Sequence, residues 1–238
     1  MPETGPYPIP GFNDPVSSLT HFAGASFVAF LTPFLLRRAR DHPRYWGYLA
    51  TFAVASILLL STSGIYHLLA VGDGRLVLQR LDHGAIFVMI AGTFTPVHGI
   101  CFRGKARWVP LVLMWLAATL GLTLKTVFFT DLAEGLGLMF YIVLGWAGLF
   151  TVMTLWRRFG YGFVEPLVWG GAAYTVGGVL EFLRWPVLIP GVVGPHELFH
   201  VGVLAGLGLH WRFVFRIASG ELPDRRERPK PLGGSFHE

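Results

Sequence analysis

Residues 46–70 read WGYLATFAVASILLLSTSGIYHLLA, twenty-five consecutive positions without an Asp, Glu, Lys or Arg. A hydrocarbon layer about 30 Å thick is crossed by about 20 apolar residues in a helix. The stretch is therefore long enough to span a bilayer. Its apolar residues lie all round the helix rather than along one stripe, as a helix surrounded by lipid and other helices requires. Near its end it carries Ser63 and His67, four residues apart.

Reading outward from this segment gives six more runs of the same kind, at roughly 18–36, 84–102, 108–126, 135–156, 164–186 and 196–218. Transmembrane β-strands would alternate apolar and polar residues. Stretches such as AFLTPFLL (29–36) and WVPLVLMWLAATLGL (108–122) do not. The expected fold class is all-α: a polytopic membrane protein built as a seven-helix transmembrane bundle over 18–218. A short tail precedes it at 1–17 and a charged, Pro/Gly-containing tail follows at 219–238. Residues 1–17 hold no Lys or Arg, so they lack the positive start of a secretory signal.

Composition agrees. Of 238 residues, 53% are hydrophobic and only 14% charged, against about 25% charged in a soluble domain. This excludes a disordered chain and an ordinary soluble enzyme. The single Cys101 excludes an internal disulfide or a cysteine-based zinc site and reads as a free, membrane-buried thiol. The net charge of +5 does not indicate nucleic acid, because the basic residues form short clusters between apolar runs rather than one basic face. Of nineteen Lys and Arg, fifteen fall on one side of the seven-span topology. Only Arg75, Arg80, Lys125 and Arg184 fall on the other. The positive-inside rule then predicts an outside N-terminus and a cytoplasmic C-terminus in the plasma (inner) membrane.

Ionisable residues inside a membrane mark function by default. His67 closes span two, Asp82 and His83 open span three, and His196 and His200 open span seven. Topology puts all of them at one depth. Residues i and i+4 share a helix face, so His196 and His200 can meet one metal ion, with His67 from a facing helix as a third ligand. Three protein ligands with an open position are the pattern of catalytic zinc, which activates water at neutral pH. Asp82 is the candidate proton acceptor or histidine partner, and Ser63 a hydrogen-bonding group for the water or a substrate carbonyl. His196–His200 also spells H-E-x-x-H, a protease signature, but no third ligand follows at the spacing a soluble zincin uses. Glu181 and Arg184, three apart, read as a structural pair. His98 and His210 lie too far along their helices to share the metal. Gly202 and Gly206, and Gly170 with Ala173, stand at spacings that let helices approach closely, though glycine is enriched in membrane helices generally.

Four pieces taken together carry a family pattern: Leu19-Thr20-His21, Ser63 to His67, Arg80-Leu81-Asp82-His83, and Pro195-His196-Glu197-Leu198-Phe199-His200. Over roughly residues 14–217 the chain resembles the hemolysin III branch of the progestin and adipoQ receptor family, related to the alkaline ceramidases. The resemblance implies a seven-span fold and zinc on His67, His196 and His200. Ser63 and Asp82 would then be partners of the metal-bound water. It further implies hydrolysis of a lipid amide such as that of ceramide, while the hemolysin name implies membrane permeabilisation. Adiponectin receptors place the metal on the cytosolic side, whereas the charge count here places it outside.

Overall fold

The structure is a computed structural model, and it describes residues 12–129 and 134–223. Among these there is no strand. The elements are α1 (Pro15–Arg38), a short 3-10 turn (Pro43–Tyr45), α2 (Trp46–Leu68), α3 (Asp73–Cys101), α4 (Lys105–Val127), α5 (Glu134–Trp146), α6 (Gly148–Phe159), α7 (Tyr161–Leu183) and α8 (Pro195–Ile217). The sequence tails beyond 12 and 223, and the basic cluster Arg225–Lys230 within the second, lie outside the described residues.

Among the described residues, six helices are long and apolar enough to cross a membrane. They are α1, α2 with its preceding turn, α3, α4, the α5–α6 pair over Gly137–Phe159, and α8. The 23-residue α7 stands outside that set, its hydropathy diluted by glycines and by Glu165 and Glu181. The outer surface of the bundle is apolar. Phe27, Phe30, Leu113, Leu116, Leu120, Phe150 and Val176 are all exposed. Apolar area on this scale is foreign to a protein in water and natural in lipid.

Two elements differ from the sequence expectation. Helix α3 begins at Asp73, eleven residues before the apolar run starts, so Arg75, Arg80 and Asp82 stand within a helix rather than at its opening. The fifth run is broken at Ala147, between Gly145 and Gly148, where missing side chains weaken a helix.

Consecutive helices pack against one another from α1 to α4 and from α6 to α8, and α8 returns against α1 and α3. That closure brings the start of α8 to the end of α2. The tightest seam lies between α7 and α8. A Cβ on Gly202 would lie 2.9 Å from the Ala173 carbonyl oxygen, and one on Gly206 would lie 2.9 Å from that of Gly170. The small residues singled out in the sequence therefore sit at a backbone-to-backbone contact. Cys101 is free and buried.

Candidate metal centre

Three local features set the position of His67. Gly64, one turn earlier, lets α1 approach: a Cβ there would lie 3.0 Å from the Phe22 ring. The Ser18 hydroxyl donates to the Gly64 carbonyl at 2.9 Å. The segment before α1 then runs back along the end of α2, with Asp14 N–H donating to the His67 carbonyl at 2.9 Å and Asn13 N–H to Leu68 at 3.3 Å. His196 and His200 follow from the start of α8. Pro195 occupies its first turn, where a proline loses no hydrogen bond. Glu197 caps the turn by accepting from the Gly194 N–H at 2.8 Å. Its other oxygen accepts from the Ser17 hydroxyl at 3.1 Å, tying α8 to α1. The sequence reading had given Glu197 no role.

The three histidines expected to act together do meet. His67, His196 and His200 each offer a ligand atom, and these lie within 4.8 Å of one another. Ring centroids are 4.9 Å apart for His67–His196, 4.8 Å for His67–His200 and 4.5 Å for His196–His200. His67 is 2% exposed and His200 is 3% exposed. Asp82 and Ser63 are buried as well. The Ser63 side chain lies beside the Asp82 carboxyl, which is within electrostatic reach of His196. Asp82 is not one of the grouped ligand atoms.

Three more residues adjoin the histidines: Asp14, which spacing does not single out, Glu181, expected only as the partner of Arg184, and His21, quoted only in the family pattern. The Asp14 carboxylate lies 3.0 Å from His67 Nδ1, and Glu181 lies 3.1 Å from His196 Nδ1. His21 stacks on His200, with centroids 4.0 Å apart and the rings 6° from parallel. Burial pushes the Asp14 carboxyl up, but the hydrogen bonds from His67 and Arg75 outweigh it and hold the group well below the ordinary carboxylate range. Glu181 thus reaches across to α8 rather than serving only Arg184. Arg80 turns away from Asp82 and donates to the Thr126 carbonyl at 3.3 Å. His98 lies elsewhere, between the Ala106 carbonyl and the Thr151 hydroxyl. His210 packs against Tyr174 and Gly170. A signal for the carboxylates was available: acidic residues are scarce, and topology puts Asp14, Glu181 and Glu197 at the same membrane face as the histidines.

The residues fit a cation. An ionised carboxylate only accepts, so each Nδ1 it faces donates. A neutral ring then presents a lone pair at Nε2. His67 Nε2 and His196 Nε2 face one another at 3.2 Å, a contact that needs either a shared proton or a metal cation between them. A tetrahedral ion with arms of 2.0–2.1 Å holds two nitrogens about 3.3 Å apart. The donor set of imidazoles suits zinc and several other transition ions.

The haemolysin-III related family model matches residues 11–211. The chain belongs to that family. It is 30% identical over 193 residues to Hemolysin-3 of Bacillus cereus, covering 80% of this chain and 84% of the relative. It is 28% identical over 192 residues to the Hemolysin-3 homolog of Bacillus subtilis (strain 168), covering 80% and 87%. For this hemolysin III-like membrane protein, the matched range takes in all three histidines together with Asp14, Ser63, Asp82 and Glu181.

Proposed function

We propose that the protein is a zinc-dependent hydrolase of the inner membrane that cleaves an amide or ester bond of a membrane lipid, in the manner of a ceramidase. The observation that carries this reading is the meeting of buried His67 and His200 with half-buried His196, beside Asp82 and Ser63. In it α7 is the sixth of seven crossings, the N-terminus is outside and the C-terminus is cytoplasmic. Zinc, when bound, supplies Lewis-acid polarisation and activation of water. Asp82 takes the proton of the attacking water. Ser63, beside that carboxyl, hydrogen-bonds the water or the substrate carbonyl. The lipid-facing helices admit acyl chains from the side, so the headgroup linkage meets the polar cluster at the membrane face.

Zinc content of the purified protein tests the reading. Near-stoichiometric zinc is expected in the wild type and its loss in the His67→Ala, His196→Ala, His200→Ala triple variant. Zinc retained by that variant overturns the site. Turnover of a panel of lipid amides and esters in nanodiscs, abolished by chelation, tests the reaction.

The printed names of the Bacillus relatives favour a second reading, permeabilisation of membranes. Dye leakage from liposomes separates the two. Leakage that persists in the triple variant, without turnover of any lipid, supports permeabilisation.

A further inference from the structure

The histidine cluster is held unequally. Its third ring, His200, is fixed by stacking on His21, and its Nδ1 has no hydrogen-bond partner among the described residues. The other two rings are each gripped at Nδ1 by a carboxylate from a different part of the fold. For His67 the grip is double. Asp14 bonds the ring through its side chain and the backbone carbonyl of the same residue through its own N–H. Arg75 backs it from the start of α3. One guanidinium nitrogen donates to the same Asp14 oxygen at 2.7 Å, a second donates to the Leu69 carbonyl at 2.7 Å, and the guanidinium lies over the Tyr66 ring at 4.6 Å. For His196 the grip is Glu181, at the end of α7.

A neutral imidazole has one N–H and can place it on either nitrogen. Left alone, each ring would divide between two tautomers and rotate about its side-chain bonds. A carboxylate at Nδ1 removes both freedoms, because only the Nδ1–H form donates to it and only one ring plane aligns the bond. We propose that Asp14 and Glu181 are positioning residues that set the Nδ1–H tautomer of His67 and His196 and so aim both Nε2 lone pairs at one cation. This deepens the metal reading above and rests on it. Asp14 reaches the site from outside the helices and Glu181 from the helix outside the apolar set. Neither belongs to the Asp82–Ser63 pair. The arrangement also makes the segment before α1 part of the metal centre, since its carboxylate and backbone both engage His67. Partners of this kind typically contribute ten- to hundredfold in metal affinity.

The test uses the full chain in nanodiscs, with zinc titrated against a fluorescent chelator. Asp14→Ala and Glu181→Ala should each weaken zinc binding by about ten- to hundredfold. Asp14→Asn and Glu181→Gln keep an oxygen that accepts from Nδ1–H, and should recover most of the loss. Arg80→Met removes a cation of the same membrane face whose guanidinium bonds Thr126 and touches no histidine of the cluster, so its affinity should stay near that of the wild type. Alanine variants that bind zinc like the wild type overturn the proposal. So does an Arg80→Met variant as weak as Asp14→Ala, since the loss is then a general effect of charge at that face. Thermal melts of the metal-free variants separate lost affinity from lost folding.

A second measurement needs no metal. Nitrogen-15 spectra of labelled histidines in metal-free protein, assigned with single histidine deletions, should show His67 and His196 protonated at Nδ1. The alanine variants should show mixed tautomers. A neutral ring carrying its proton at Nε2 and none at Nδ1 in the wild type overturns the proposal. A wild type that binds no zinc yet shows the tautomer change overturns the metal reading while leaving the positioning intact.

Discussion

Asp82 is a carboxyl at 8% exposure in a helix otherwise crowded with apolar residues, and a buried acid of this kind is expensive without a partner. Asp82→Asn keeps the size but cannot take a proton. Zinc content should therefore be unchanged, while lipid hydrolysis falls by about 10²–10⁴-fold. Turnover measured beside zinc stoichiometry checks this, and an Asp82→Asn protein with full activity excludes the role. At this scale the sequence was most informative where chemistry and spacing coincide. The i,i+4 pair His196 and His200, and the matching depth of His67, could be read from topology alone. Asp14, His21 and Glu181 could not. Their partners lie on other elements, and spacing along one chain says nothing about which helix ends touch. For Glu181 a nearby cation, Arg184, offered a simpler local partner than the histidine fifteen residues away across the turn.

At the scale of elements, the helices were legible because lipid imposes a length and a composition on each crossing. Their ends were less so. Helix α3 runs on past its apolar portion through Arg75, Gln79 and Arg80, since the backbone can stay helical where the side chains leave hydrocarbon for the interface. The seam between α7 and α8 was legible as a pattern of small residues, and its geometry now sets a cost. Gly202→Ala would push a methyl to 2.9 Å from the Ala173 carbonyl and 3.1 Å from Gly177 Cα. Backbone on both sides leaves no flexible neighbour to yield. Overpacking of this sort costs about 1–3 kcal/mol, so the melting temperature should fall, whereas Gly208→Ala, with nothing within 4 Å, should melt like the wild type. Equal melting of the two variants would mean the seam is not tight. On the far side of the bundle, His98 joins three elements. Its Nδ1–H donates to the Ala106 carbonyl at 3.0 Å, and its Nε2 accepts from the Thr151 hydroxyl at 2.9 Å. His98→Ala leaves both partners unpaired, at about 1–3 kcal/mol. It should lower stability without lowering zinc content, which distinguishes it from the histidines of the cluster.

For the whole molecule, the distribution of charge and the placement of the cluster make one joint claim. Arg37, Arg38, Arg103, Lys105, Arg107, Arg157, Arg158 and Arg216 stand at the ends of helices opposite to His67, Asp82 and His196. Cationic loops resist translocation, so the face they mark should be cytoplasmic and the histidine cluster should face outward. Two consequences follow together. A fluorescent protein that matures only in the cytoplasm, fused after residue 238, should become fluorescent, and the same reporter fused before residue 1 should stay dark. A membrane-impermeant chelator should strip zinc from right-side-out vesicles and leave sealed inverted vesicles loaded. Bound metal stabilises the fold by mass action, about 2.7 kcal/mol when free metal is a hundred times its dissociation constant. Stripped right-side-out samples should therefore also melt at lower temperature. If the reporters agree with the charge count but the chelator acts only on inverted vesicles, the metal is not at the histidine cluster. If both are reversed, the basic face is outside and the centre is cytosolic, as in the adiponectin receptors the sequence resembles.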